Sequence, residues 1–402
     1  MDFAPLEELR SRLRQLEREQ LLRNRRIVDG ACAPQLKLWN IDETRKLLAF
    51  CSNDYLGLAA HPNVVSALAQ AAQQLGVGSG ASHLISGHHR AHHRLEARLA
   101  ALQSPHIPDC RALFFSTGYL ANLSVLAALA DRQTQIFSEQ LNHASLIDGM
   151  RLAGAGRQVY PHRDLAALAA MLRESPAQRK MIVTDAVFSM DGDLAPLTQL
   201  LDLARKHGAW LLIDDAHGFG VLGERGRGSL AHHGLRSEQI VYVGTLGKAL
   251  GVAGAFVAAH ETLIEYLVQR ARPYIFSTAS PPALAVALQA ALDIATGEQG
   301  DRLRAALHEN VARLRGALRV DPWRLLPSAT PIQPIVIGDN ALTMAAASAL
   351  HNQGLWVAGI RPPTVPQATA RLRVTLSAAH TAAQVDELAA ALNALAARYQ
   401  RA

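Results

Sequence analysis

Val241-Tyr242-Val243-Gly244-Thr245-Leu246-Gly247-Lys248-Ala249-Leu250-Gly251 is a β-prone run that ends in a turn of small residues around one lysine. A lysine among glycines and apolar residues is expensive to bury as a cation. Burial lowers its pKa and makes the neutral amine available as a nucleophile or base. An exposed turn lysine would have the same local sequence, so Lys248 takes its meaning from what else ends beside it.

Working outward, the same strand-then-turn form recurs. Ala112–Phe115 reads as a strand, Ser116-Thr117-Gly118-Tyr119 as a turn and Ala121–Ala130 as a helix. Small residues at such a strand-to-helix turn present backbone N–H groups to a phosphate. Ile136-Phe137 precedes Asn142-His143-Ala144-Ser145, and Gln158–Tyr160 is a further short strand. Met181–Thr184 leads to Asp185–Ser189, Trp210–Ile213 to Asp214, Asp215 and His217, and Gln239–Val243 to Thr245 and Lys248. Strands separated by helices imply a largely parallel sheet covered on both faces. In such sheets ligands sit beyond the strand C-termini, where these polar residues fall.

The flanking regions divide the chain into an N-terminal helix and arm (1–45), a large domain (46–280) and a smaller C-terminal α/β domain (281–402). Leu6, Leu9, Leu13 and Leu16 recur at helical spacing, and Arg23, Arg25 and Arg26 close that segment. Leu47–Cys51 is β-like and runs into the turn-rich Asn53-Asp54-Tyr55-Leu56-Gly57. Gly76-Val77-Gly78-Ser79-Gly80 follows a helix rather than a strand, so it reads as a loop and not as a dinucleotide fingerprint. His88, His89, His92 and His93 lack the glutamate of a zincin helix and any local third ligand, and read as a polar helix start. After Pro281-Pro282 the chain turns Ala-, Leu- and Arg-rich, with strand-like Ile332–Ile337, Leu355–Val357 and Leu372–Leu376 and a terminal helix. Within it, Ile360-Arg361-Pro362-Pro363-Thr364-Val365-Pro366 is a proline-stiffened loop presenting Arg361 and Thr364.

Composition bounds the function. The 402 residues are 49% hydrophobic and 18% charged, which excludes a disordered chain. The net charge of +6 is scattered, without the aromatic-interleaved basic stripe of a nucleic-acid binder. No apolar run reaches membrane-spanning length. Three cysteines, Cys32, Cys51 and Cys110, are far apart and odd in number, against a disulfide framework or a Cys-based zinc site and in keeping with a reducing cytoplasm.

A buried lysine, a phosphate cradle and an acid at a strand end are what pyridoxal 5'-phosphate (PLP) requires. Asp214 suits the acid, and His143 suits a ring-stacking partner. In this order SNDYLGL, NHASLIDG, VFSMDGD, LIDDAHGFGVLG, GTLGKALG, FSTASPP and IRPPTVP resemble the α-oxoamine synthases among fold-type-I PLP enzymes. That resemblance implies a large domain with a mostly parallel seven-stranded sheet and a smaller α/β domain. It makes Lys248 the Schiff-base lysine, Asp214 the partner of the pyridinium nitrogen and His143 the stacker. It assigns Ser189 and His217 to the phenolic oxygen and Gly118, Tyr119 and Thr245 to the phosphate. Ser277 and Thr278 would come from the other subunit of a homodimer with shared sites.

It gives Asn53 and Arg361 the amino-acid substrate, and Arg23 and Thr364 the lining of the substrate site, with Arg25 or Arg26 aligning as well as Arg23. ISGHHRAHHRLE and IRPPTVP resemble the branch that condenses L-alanine with a pimeloyl thioester, delivered by CoA or acyl carrier protein (ACP). Sister enzymes using glycine or serine share the lysine and aspartate motifs, and a metal-binding histidine cluster without PLP chemistry is the reading from a different class.

Overall fold

The computed structural model describes residues 3–39 and 44–400; of the arm expected over 1–45, residues 1–2 and 40–43 lie outside these. The described chain forms two compact units, one of residues 54–189 and 193–306 and one of residues 3–53, 190–192 and 307–400.

The first unit is built on a seven-stranded sheet ordered Cys110–Phe115, Ala255–His260, Ile240–Thr245, Ala209–Asp214, Arg179–Asp185, Thr134–Glu139, Gly156–Tyr160. Neighbours from Ile240–Thr245 to Gly156–Tyr160 are parallel, and Ala255–His260 runs antiparallel to both of its neighbours. Alternate residues explain why these strands read as continuous apolar runs. Val241, Val243, Met181, Val183 and Val257 join one core with Ala121, Val125 and Leu126 of the helix Gly118–Leu129 and Leu146 and Met150 of Ala144–Ala153. Between them Ile182, Leu211, Ile213, Tyr242 and Phe256, on the opposite face, are also fully buried. Each such side chain contributes roughly 1.5–3 kcal/mol by leaving water.

Ala255–His260 is the strand that periodicity does not reveal. Its AFVAAH sequence carries weak β-propensity, and pairing with two neighbours decides its conformation. The helices Pro62–Leu75 and Arg90–Gln103 both pack on Pro282–Thr296 in this unit.

The second unit holds two four-stranded sheets. Ile27–Asp29, Gln35–Trp39 and Thr44–Ala49 are antiparallel, with Leu355–Trp356 added in parallel. The other sheet, antiparallel throughout, orders Arg324–Leu325, Ile332–Gly338, Ala370–Thr375 and Ala358–Ile360. The expected N-terminal helix is present as Ala4–Arg18, yet none of its residues is buried, and Leu6, Leu9, Leu13 and Leu16 form an exposed apolar stripe. No helix among the described residues is long and apolar enough to cross a membrane.

Candidate active site

In the first unit the polar residues gather where the parallel strands end. Ile240–Thr245 delivers Lys248 through a turn closed by Gly251 N–H donating to Lys248 O at 2.9 Å. Ala209–Asp214 delivers Asp214 and, three residues on, His217. Lys248 Nζ lies 3.0 Å from His217 Nε2, and His217 Nδ1 lies 2.5 Å from the Tyr55 hydroxyl. Tyr55 and His217 are buried and Lys248 is half-buried. With a neutral imidazole, two proton arrangements satisfy this chain. Either Tyr55 O–H donates to Nδ1 and Nε2–H donates to a neutral amine, or the ammonium donates to Nε2 and Nδ1–H donates to the tyrosine oxygen. In both, the state of Lys248 is tied to a tautomer of His217.

A second chain starts at Asp214. Its Oδ2 accepts from Asn122 Nδ2 at 2.6 Å and its Oδ1 from Ala216 N–H at 2.9 Å. Asn122 also donates to Ser145 Oγ at 2.9 Å, and Ser145 Oγ is 2.8 Å from His143 Nδ1. His143 caps the helix Ala144–Ala153, and its own N–H donates to Asp185 Oδ2 at 2.7 Å. Burial, partly offset by Asp214, holds the His143 ring below the usual imidazole range, so it is neutral near pH 7. Burial and then the charge of Asp214 push Asp185 well above the carboxylate range.

A buried buttress stands behind the Asp214–His217 turn. Asp215 Oδ2 accepts from Tyr242 O–H at 2.8 Å and Ser229 N–H at 2.6 Å, and its Oδ1 accepts from the Ser229 hydroxyl. Burial, against those three bonds, raises Asp215 to about 6. Gly228, at φ +93°, has to be glycine: a Cβ there would stand 2.3 Å from Asp215 Oδ2.

The phosphate candidates also meet. Thr117 caps the helix Gly118–Leu129, its hydroxyl accepting from Leu120 N–H at 3.2 Å. A Cβ on Gly118 would lie 3.7 Å from Thr245 Oγ1, so Thr245 stands beside that helix N-terminus. Tyr119 is exposed, and its hydroxyl donates to Asp148, which raises its pKa. Ser189 is half-buried after Phe188. Ser277 and Thr278 line a different, small cavity with His83, Phe114 and Ser116, and Thr278 bridges to Ser82.

The second unit carries the remaining candidates in two groups. Asn53 Oδ1 accepts from Arg373 Nη1 and Nη2, each at 3.3 Å, and Arg373 also donates to Thr375 Oγ1 at 3.0 Å. Arg361 donates to Gln20 O and to Leu22 O, and Thr364 N–H closes its turn on Arg361 O at 3.1 Å. Burial first, then the nearby Arg23, lowers Arg361. Sequence reasoning singled out Arg361 and missed Arg373, one of two arginines on the buried strand Ala370–Thr375.

The histidine run builds a helix start. His89 caps Arg90–Gln103, accepting from Ala91 N–H, and His92 Nδ1 accepts from His89 N–H at 3.0 Å in return. Ring nitrogens of His83, His88 and His92 lie within 4.8 Å of one another. His92, however, spends its other nitrogen on Ser280 O at 2.8 Å, so a metal would have to displace a backbone bond.

The donor set fits PLP. An amine, a carboxylate with lone pairs left beyond its two bonds, a neutral imidazole and a helix N-terminus beside a hydroxyl match its aldehyde, ring nitrogen, ring face and phosphate.

Comparison with known proteins agrees. Residues 45–392 match the family model for aminotransferase class I and II. The 8-amino-7-oxononanoate synthase of Bordetella petrii is 60% identical over 97% of this chain and 98% of its own length. That of Janthinobacterium sp. is 59% identical over 96% and 97%. Among solved structures, serine palmitoyltransferase from S. paucimobilis with PLP and myriocin bound superposes with TM-score 0.90 at 27% identity, covering 100% of both chains. The 8-amino-7-oxononanoate synthase of Francisella tularensis superposes with TM-score 0.75 at 29% identity, covering 88% of this chain and 98% of its own. Both kinds of enzyme share the fold, so the high sequence identity discriminates between them. The chain belongs to the PLP-dependent aminotransferase class I and II family and, within it, to the 8-amino-7-oxononanoate synthases.

Proposed function

We propose that the chain condenses L-alanine with a pimeloyl thioester, with loss of carbon dioxide, to give 8-amino-7-oxononanoate for biotin biosynthesis. The observation that carries this is the Tyr55–His217–Lys248 chain in the same unit as the Asp214–Asn122–Ser145–His143 chain. The reaction joins the alanine α-carbon to the thioester carbonyl, expels the carrier thiol and loses the alanine carboxylate. PLP, when bound, supplies an electron sink for the pair left at the α-carbon.

Each residue has a task. Lys248 would hold the cofactor, and its free amine takes the α-proton on Nζ; His217 sets the protonation of that amine through its tautomer. Asp214, steered by Asn122, would hold the ring nitrogen, and neutral His143 would stack on the ring. Gly118, Tyr119 and Thr245 serve the phosphate, and Ser189 with His217 the phenolic oxygen. Asn53 with Arg361 takes the alanine carboxylate, and Arg373, held on Asn53, orients that amide. Arg23 and Thr364 line the acyl side. Arg23 close to Arg361 is a like-charge pair that an anion relieves, and the distal carboxylate of a pimeloyl chain supplies one.

The working form is a cytoplasmic homodimer in which Ser277 and Thr278 serve the partner's phosphate. The exposed stripe Leu6, Leu9, Leu13 and Leu16 supports a second copy as its cover, because an unpartnered short helix is marginal in water. The carrier is ACP or CoA.

The test is product formation by mass spectrometry with L-alanine, glycine or L-serine against pimeloyl-ACP, pimeloyl-CoA and palmitoyl-CoA. The expected result is 8-amino-7-oxononanoate from L-alanine and a pimeloyl donor. Preference for glycine moves the chain to a sister activity, and preference for L-serine with the palmitoyl donor moves it to that of its structural neighbours.

A further inference from the structure

The cysteines are dispersed in sequence, but the fold of the second unit brings two of them together. Gln35–Trp39 pairs antiparallel with Thr44–Ala49, with Gln35 opposite Leu48. The ladder continues past the strand, where Ala49 N–H donates to Pro34 O at 2.7 Å. That bond lies two residues from each cysteine, with Cys32 in the bend before Pro34 and Cys51 in the segment after Ala49.

Side-chain observations agree. Cys32 Sγ lies 3.6 Å from Ser52 Oγ, on the residue after Cys51. Negative charge on Cys32 is felt at Cys51. Both are free thiols, Cys32 exposed and Cys51 half-buried.

We infer that Cys32 and Cys51 form a dithiol site that oxidises reversibly to an intrachain disulfide, with a small-molecule disulfide such as glutathione disulfide as the oxidant. The exposed Cys32, as thiolate, attacks one sulfur of the oxidant. A Cys32–glutathione bond forms, the oxidant's S–S bond breaks, and the departing glutathione thiolate takes up the proton that Cys32 released. Cys32 then turns from Ser52 to Cys51. The Cys51 thiolate attacks Cys32 Sγ, the Cys32–Cys51 bond forms, and the second glutathione leaves with the proton from Cys51. The two protein thiols give up two electrons and one glutathione disulfide gains them. Burial raises the Cys51 thiol to about 11, so this closing step is the slower one and quickens with pH.

The closed link would tether the arm to the chain just ahead of Asn53, whose side chain holds Arg373. The site does not depend on the activity proposed above.

The test uses the intact wild-type chain, incubated with glutathione disulfide at mildly alkaline pH and digested without reduction for mass spectrometry. The deciding readout is a peptide pair joining residues 32 and 51, with Cys110 outside the link and dithiothreitol returning all three thiols. C51S should stop at a glutathione adduct on Cys32, and C32S should yield no intrachain link. A wild-type chain that keeps a lasting adduct on Cys32, loses no thiol, or links either cysteine to Cys110 or to another chain overturns the inference.

Discussion

Tyr55→Phe removes one oxygen atom from the centre of the proposed machinery. Tyr55 is 0% exposed and its hydroxyl lies 2.5 Å from His217 Nδ1, so the change leaves a buried ring nitrogen without that partner. Phenylalanine keeps the ring and its packing, which confines the loss to about 1–3 kcal/mol for one unmade buried bond. If about 1–2 kcal/mol of this is felt between the free enzyme and the transition state, kcat/KM falls about 5–30-fold, since 1.36 kcal/mol is tenfold. Tyr55 acts on Lys248 through His217, so the fall belongs in kcat, with KM for L-alanine nearly unchanged.

The assay follows release of the carrier thiol with saturating pimeloyl donor, alongside the visible absorbance that reports cofactor content. On a His217→Asn background the tyrosine change should add little, because both act through one imidazole. A kcat within twofold of wild type, or full additivity with the His217 change, would refute the coupling of Tyr55 to Lys248 through His217.

Three further outcomes follow from the same geometry. Lys248→Ala should abolish the visible, borohydride-sensitive absorbance and cut turnover by at least about 10²–10⁴-fold, the range for losing a positioned base; a mutant that keeps both would exclude Lys248 from either role. Gly228→Ala places a methyl group 2.3 Å from Asp215 Oδ2 and 2.4 Å from Tyr242 Oη in a positive-φ backbone. It should lower the urea midpoint by an amount equivalent to about 2–4 kcal/mol, combining overpacking with backbone strain, and an unchanged midpoint would show that the buttress yields freely. His162 bonds Glu139 at 2.6 Å and Asp193 at 2.9 Å; burial opposes its charge, but the two carboxylates prevail and raise it to about 9. A raised folded-state pKa gives stability that is complete below about 6.5 and lost as pH rises through about 9, so the melting temperature of wild type should fall more steeply over that window than that of His162→Gln. Parallel melting curves across the window would remove the charge from His162.

The strand-end residues were legible in the sequence because each is announced by its own neighbours. Trp-Leu-Leu-Ile before Asp214 and Val-Tyr-Val before Thr245 mark a buried strand, and the polar residue after it sits where such sheets bind ligands. Ala255–His260 lacked that signal, since alanines favour no strand, and it exists through pairing on both sides. The exposed face of the N-terminal helix shows the same boundary from the other direction. Periodicity specified an amphipathic helix correctly, but a moment says only that one face is apolar and not what covers it.

The residues that were missed share a different property: their roles lie in contacts distant in sequence. Asn122 stands 92 positions from the Asp214 it steers, within a helix whose apolar run GYLANLSVLAAL reads as plain core. Tyr55 is 162 positions from His217, and Arg373 is 320 from Asn53. A residue that does chemistry must be of a restricted type at the C-terminal end of a strand, and both facts leave a local trace. A residue that orients another needs only a donor or acceptor at one point in space, which asparagine, tyrosine or arginine supplies from any element that passes. The orienting residues therefore depend on the fold before they can be named, and the cost of removing them, about one buried hydrogen bond each, is the measure by which that assignment stands or fails.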